Sequence, residues 1–422
     1  MTKTYSGPIG SGLGLRHSLS IVLSLAEEAD SQLGCAFFAA PHGTAPRWRL
    51  DTETKDQLLA DPLAWFESER DGLLGAACQS AALGMPEATW DLALSCAGFF
   101  EVRGYFDDWR TALDQALAAA RRSGHRAGEA AVLRGLGELH TFQDRYDAAL
   151  ACFTEAGEIF AELGDRQGQA VTASGCGLIC RVRGRYADAL AWFAEALAMS
   201  ERAGPPQAAA YALVGMGTVH LAQGGHHDAG ECFRRALRIC RESGYRNGEA
   251  QSLWRLGMLG IKQGHLEAAK AYLADARDLW VDLGNRLGQA HVDQSLSELR
   301  RRQGNTEEAA VLLTACLHVY RELGDRYGEA LTLQGLGGVH LGASRLAPAA
   351  ECLEQALRLW HDLGVPFERA KTLTALGDLH ARRGNGDAAR RVRDEALCLF
   401  QELGIPEGSW LPHLQQSPAA IS

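Results

Sequence analysis

Cys176 and Cys180 lie one helical turn apart, and His220 stands forty residues beyond the second of them. Thiolate and imidazole at such spacing could hold a metal ion or carry redox chemistry. The same positions also recur as a column, because Cys180 and His220 occupy equivalent places in consecutive forty-residue units. Packing between helices explains that recurrence without a ligand. None of the eleven cysteines forms a CxxC pair, and Cys316 shares its column with Ala156, Ala196, Ala236, Ala276, Ala356 and Ala396. A buried free thiol behaves there as a small apolar residue. His226-His227 falls in a turn and is expected to be exposed. The column His140, His220, His340 and His380 reads as structural, each ring bonded to a neighbour. The stretch GPIGSGLG lacks the lysine of a phosphate-binding loop, and no GxxxxGK[ST], HExxH or GxSxG occurs. Carboxylates are spread over joints and outer faces rather than paired in one column. No catalytic, metal-binding or cofactor-binding constellation emerges, and the expectation is a protein that is not an enzyme.

The formal charge of −10 disfavours direct contact with nucleic acid, and the longest basic run is Arg300-Arg301-Arg302. The apolar run Leu19 to Leu25 is far short of the roughly 20 residues a membrane span needs. The N-terminus lacks a charged-then-apolar leader, so a cytoplasmic location is expected.

What must position any functional residue is a repeat. Gly84, Gly124, Gly164, Gly204, Gly244, Gly284, Gly324, Gly364 and Gly404 recur every forty residues, within joints such as LGDRQGQA, SGYRNGEA and LGDRYGEA. A fixed period of this size is the signature of stacked helical hairpins. In the unit Gly124 to Leu163, Leu133, Leu136, Gly137 and His140 follow helical spacing, then Gln143-Asp144-Arg145 turns the chain. Ala149, Phe153, Ala156 and Phe160 mark the second helix, Gly164 ends it, and Asp165 is placed to cap the next. Gly137, Gly177, Gly217, Gly257, Gly337 and Gly377 sit inside the first helix and are expected to face the column Ala149, Ala189, Ala229, Ala269, Ala309, Ala349 and Ala389. Phe153, Phe193, Phe233, Leu273, Leu313 and Leu353 fill the space beside that column.

These columns follow the order of the tetratricopeptide repeat, with Leu for its usual Trp and mostly His for its usual Tyr. The unit is longer than the standard 34 residues. Forty-residue units joined by LGDRxGEA resemble those of bacterial signal-transduction ATPases of the maltose-activator kind. They also resemble the C-terminal arms of actinobacterial SARP-type antibiotic regulators, whose start is similar to PLAWFESERDGLLGAACQSA and WDLALSCAGFFEVRGYFDDW. The resemblance covers about residues 60–404. It implies an all-α, right-handed superhelical solenoid of antiparallel hairpins and a regulatory binding role, although the nucleotide-binding loop of the full-length regulators does not occur in this chain.

The expected divisions are 1–60, a lead with one helix (15–31) and a loop; 61–123, hairpins entering the array; 124–404, the solenoid; and 405–422, a tail in which Trp410 and Leu411 fold back. In such solenoids the first helix of each hairpin lines the concave groove. Transferring the spacing gives Arg181, Tyr211, Val214, Leu221, Trp254, Met258, Ile261, Lys262, Gln294, Glu298 and Arg301 as its central residues. Aromatic side chains and Met beside Arg are common anchors of recognition surfaces. A protein or peptide partner, or a small effector, is therefore expected in the groove, linked to transcriptional or signalling machinery. Neither membrane nor direct nucleic-acid contact is expected, and homodimerisation is compatible with the pattern. Replacing Trp254 and Tyr211 by Ala is expected to abolish binding with little change in melting temperature. The alternative is a biosynthetic enzyme or accessory protein using the groove as a substrate pocket.

Overall fold

Each recurring glycine among the described residues stops a helix. In the computed structural model, which describes residues 12–33, 43–203 and 206–403, Gly84, Gly124, Gly164, Gly244, Gly284, Gly324 and Gly364 have φ of 62° to 69°. That is the left-handed region, where an L side chain is strained. Gly204, Gly404 and the segment holding Trp410 and Leu411 lie outside the described residues. The residue after the glycine often caps the next helix: the side chains of Asp165, Asn285 and Asp325 accept from the backbone N–H of Gly168, Gly288 and Gly328 at 3.0, 2.8 and 2.7 Å. Between the helices of a hairpin the left-handed position is usually glycine, but Asp144 and Ser344 adopt it at φ 56° and 55°.

Twenty helices form among the described residues. The N-terminal group is α1 (Gly12–Leu33), α2 (Thr52–Leu58), α3 (Pro62–Ala82), α4 (Pro86–Ser95), α5 (Ala97–Arg103) and α6 (Phe106–Ser123). Seven hairpins follow: α7 (Arg126–Phe142) with α8 (Tyr146–Glu162), α9 (Arg166–Val182) with α10 (Tyr186–Ala203), and α11 (Pro206–Ala222) with α12 (His226–Ser243). The rest are α13 (Arg246–Gln263) with α14 (Leu266–Asp282), α15 (Arg286–Arg302) with α16 (Thr306–Leu323), α17 (Arg326–Gly342) with α18 (Leu346–Leu363), and α19 (Pro366–Arg382) with α20 (Gly386–Glu402). None of them is long and apolar enough to cross a membrane.

Three local features differ from the expectation. The loop expected over Pro41 to Asp51 is irregular in its described part, 43–51, but a second helix the expectation lacked follows it in the lead: Asp51 accepts from Thr54 N at 2.9 Å and starts α2. One expected helix breaks at Cys96 into α4 and α5; Ser95 Oγ donates back to the Asp91 carbonyl at 2.8 Å, a bond that bends helices. Most of the mid-helix glycines make room for the aromatic and Leu column rather than for the alanines, and Gly377 makes room for Arg393. A Cβ on Gly137 would stand 2.7 Å from the Phe153 ring, and on Gly217 2.6 Å from Phe233.

The hairpins stack into a spiral that closes on itself. Tyr327 N donates to Asp144 Oδ2 at 3.2 Å across 183 residues, and Arg183 Nη1 to the Gly364 carbonyl at 3.5 Å across 181. Leu323 packs on Gly104 and Leu63 on Gly284, while the rings of Tyr186 and Phe367 meet edge-on at 6.4 Å. Apolar clusters cross the same seam: one joins Tyr146, Phe153 and Val182 to Ala330, Trp360 and Val365. A second joins Phe193 and Tyr211 to Leu373 and Phe400. Burying apolar side chains at about 25 cal/mol per Å² makes such a seam a stabilising contact rather than a chance approach.

Candidate functional site

Closure turns the concave groove into a central chamber of about 1080 Å³ that is still partly open. Its wall is built mainly from the first helices of the hairpins, α7 through α19, with Glu101 and Phe106 from the N-terminal group and side chains such as Tyr146, Tyr186, His226, Trp280 and Phe400 from the second helices. Regular hairpins with a small rotation per unit present these helices inward in turn. Of the side chains expected in the groove, Arg181, Tyr211, Val214, Leu221, Trp254, Met258, Lys262 and Gln294 line the chamber. Ile261, Glu298 and Arg301 do not. Ile261 is 3% exposed and packs in the core, and Arg301 turns along its own helix to pair with Glu298 at 2.7 Å. Although burial opposes it, Arg301 and Arg302 hold the Glu298 carboxyl below its ordinary value.

Tyr211 and Trp254 are only 7% and 8% exposed, so they are wall and core at once. Trp254 Nε1 donates to Ser295 Oγ at 2.8 Å, and the indole stacks on His291 with centroids 5.0 Å apart. Trp280 meets it edge-on at 6.0 Å and donates to Asn247 Oδ1 at 2.8 Å. Their rings are shared with the packing between hairpins, so emptying these positions should cost stability, contrary to the expectation of little change. Burial, reinforced by the Arg255 charge, lowers His291 to about 3, so its ring is neutral and bonds Tyr320 Oη at 2.8 Å.

Sequence reasoning missed Arg255, which follows Trp254 and falls between the transferred positions. Its guanidinium lies over the Trp254 ring at 4.1 Å, and Nη1 points to Met258 Sδ at 3.7 Å. Withdrawal from water, with Arg181 adding repulsion, lowers Arg255 to about 9. Tyr327, from the far side of the seam, was missed for a different reason, since its place in the wall depends on closure. Acidic groups line the chamber too. Burial, then the charge of Glu138, pushes Glu101 well up; burial also raises Glu138, although Arg134 stands 3.3 Å away.

The other sequence candidates are structural. Cys176 and Cys180 are each 2% exposed in the core, and burial raises both thiols, Cys176 to about 11. Of the paired histidines, His227 is exposed while His226 is half-buried and lines the chamber. The rings of the histidine column are not all bonded: Nδ1 of His140, His340 and His380 has no partner among the described residues. Burial lowers His140 and His340, so they stay neutral where they pack.

A stacked array of helical hairpins around a lined channel is the architecture of the tetratricopeptide repeat. A profile of the tetratricopeptide repeat matches residues 129–202, 208–280 and 288–360, more than half of the chain, and the protein belongs to that family. No curated protein matches it. Solved structures share the fold. A Rap protein complexed with Competence and Sporulation Factor has a TM-score of 0.61 at 13% identity, covering 90% of this chain and 98% of its own. The Rap conjugation regulator of plasmid pLS20, in complex with the Phr* peptide, gives 0.57 at 14%, over 80% and 96%. The Cut9–Hcn1 assembly of the APC/C gives 0.56 at 16%, over 94% and 68%. At these identities the likeness concerns the fold alone.

Proposed function

We propose that the chain is a protein-binding module that takes a short peptide into its central chamber and passes that occupancy to a transcriptional or signalling partner. The chamber carries the reading. Its volume of about 1080 Å³ lies at the upper end of ligand sites, and Tyr211, Trp254, Met258, Tyr327 and Phe367 give it rigid apolar walls with polar groups between. The plasmid Rap regulator, whose structure holds the Phr* peptide, has the same fold.

The relay has a physical route. Tyr327 lines the chamber and also donates its backbone N–H across the seam to Asp144. A ligand that prefers one position of Tyr327 shifts the spacing of successive turns, and with it the outer surface a partner reads.

The test is selection of peptides from a random hexapeptide pool by the immobilised protein, identified by mass spectrometry. Thr218, half-buried on the chamber wall, is replaced in a blocked control, Thr218→Trp. Retention by the native protein and its loss in the folded control support the reading. Equal retention by both, or none by the native protein, overturns it.

A further inference from the structure

We infer that the outer face of the N-terminal group, where Trp48 and Leu58 stand exposed between a basic and an acidic end, docks a second copy of this chain about a twofold axis. The face lies outside the chamber, and the inference does not rest on the peptide reading above.

Trp48 is 55% exposed, the largest apolar side chain so open among the described residues, and Leu58 follows at 44%. Both are held in place. Segment 43–50 is laced to the helices beneath it: Gly43 N donates to Asp91 Oδ1 at 2.6 Å, and Arg47 reaches Asp91 at 2.7 Å and Glu27 at 3.0 Å. Arg47 turns inward and Trp48 outward. The Trp48 backbone N–H donates to the Ser20 carbonyl of α1 at 3.2 Å, and the His17 ring meets the indole edge-on at 4.6 Å. The helix that carries Leu58, α2, is fastened further along α1, where Lys55 pairs with Glu28 at 3.0 Å. Ser20 and Glu28 are about 12 Å apart along the α1 axis, at 1.5 Å per residue. An exposed tryptophan already fixed in place spares an association the cost of ordering it. Trp is also enriched at the energetic centres of interfaces.

The charges around the two side chains have opposite signs. Arg16, His17 and Arg49 are exposed beside Trp48. Asp51, Glu53, Asp56 and Asp61 are exposed around Leu58, and Lys55, the cation among them, is turned to Glu28. Arg16, Arg49 and Glu53 have no ion pair among the described residues, whereas arginines at the joints of the array pair with acids, as Arg246 does with Asp282 at 2.8 Å. A face with cations at one end and anions at the other complements itself when rotated by half a turn. A twofold axis between Trp48 and Leu58 sets Trp48 of one copy on Leu58 of the other, and each basic end on an acidic end, twice over. A uniformly acidic partner would match the Trp48 end and be repelled at the Leu58 end, and a basic partner the reverse. The net charge of −10 opposes self-association at long range, so the local match is what holds the two copies together.

Sedimentation velocity of the full chain over about 1–100 µM reads the mass directly. The expected result is a shift from 45.5 kDa to twice that value within the range. Each contact occurs twice across a twofold axis, so a single substitution is felt twice. Trp48→Ala and Leu58→Glu should each raise the dimer dissociation constant about tenfold or more. Arg49→Glu and Glu53→Arg should each raise it severalfold, and combining the two in one chain should restore dimerisation, because the exchanged charges meet again across the axis. All four positions are exposed, and thermal melts check that each variant is folded. Should one not fold, the others carry the comparison. The chamber-blocked Thr218→Trp chain should dimerise as the native one does. A native chain that keeps the single mass up to about 100 µM overturns the inference and leaves the face to a different partner. A dimer indifferent to both Trp48→Ala and Leu58→Glu overturns it too, as does a charge exchange that fails to restore dimerisation. None of these outcomes bears on the peptide reading of the chamber.

Discussion

Tyr327 donates its backbone N–H to Oδ2 of Asp144 across 183 residues of chain, and Asp325 stands beside the same contact. The bond ties the turn between α7 and α8 to the start of α17, one full turn of the spiral away. Tyr146 Oη completes the carboxylate, donating to Oδ1 at 2.7 Å. Asp144 takes a left-handed backbone, φ 56°, where most units have glycine. Asp tolerates that region better than most residues, and here its side chain bridges the seam.

This seam makes stability depend on pH. Burial pushes Asp144 up to about 6; burial, then the nearby Asp144 charge, pushes Asp325 up to about 7. The ordinary value for both is 3.8. Arg326, Glu329, Tyr146, Arg145 and Asp107 are the other ionisable groups around them. Folded-state values above the unfolded ones mean that the stabilisation is complete below 3.8 and is lost as pH rises through about 6 and 7. The buried His140 and His340, held below their ordinary 6.5, destabilise only under that pH. Melting temperature should therefore fall between pH 6.5 and 8, by about 1 kcal/mol of stability. Asp325→Asn keeps the helix cap and should flatten that slope in thermal melts. An unchanged slope would remove Asp325 as its source.

Two adjacent glycines should respond to alanine in opposite directions. A Cβ on Gly337 would press on Leu353 at 2.5 Å, whereas one on Gly338 meets nothing within 4 Å. Gly337→Ala should destabilise by about 1–3 kcal/mol through overpacking. Gly338→Ala should stabilise by about 0.5–1 kcal/mol through helix propensity. Urea midpoints at constant slope measure both.

Trp254→Ala should cost about 3–5 kcal/mol, the range for emptying a buried aromatic site. It also leaves Ser295 without the indole donor and removes the surface under Arg255. Trp254→Phe keeps most of the packing and should lose less than half as much. Chemical denaturation of the two variants checks the order, and a Trp254→Ala midpoint equal to native would show that the ring is not part of the packing.

Outer-face ion pairs should matter little. Arg126 to Glu162, Arg246 to Asp282, Arg286 to Glu322 and Arg326 to Asp362 form a ladder, each pair spanning 36 residues. All are largely exposed, and exposed pairs contribute little after screening and side-chain entropy. Asp362→Asn should melt within replicate scatter of the native protein, at low and high salt alike.

Most of the hairpin geometry was legible because it is local. Gly164 and Asp165 stop one helix and start the next through bonds within a few residues, and the period repeats that signal. Arg181, Tyr211 and Trp254 could be placed on the wall by carrying one unit's spacing to the others. Arg255 could not, because a helix facing a tight chamber shows a wider face than a shallow groove would. Tyr327 and Asp144 were invisible as partners, since their meeting depends on a rotation summed over all the units between them. The glycine column was assigned to the wrong neighbour because Ala149 and Phe153 lie on one stripe and only coordinates tell which touches Gly137.

An open solenoid can gain or lose a repeat and simply become longer or shorter. Here Asp144 must find Tyr327 and Arg183 must find Gly364 at nearly the same separation along the chain, 183 and 181 residues. Inserting a single unit between them would carry every such partner past its mate, as a thread cut to the wrong pitch misses its nut. The number of repeats is thus a dimension of the binding site, and natural variation in this architecture should be sought in wall residues before it is sought in repeat count.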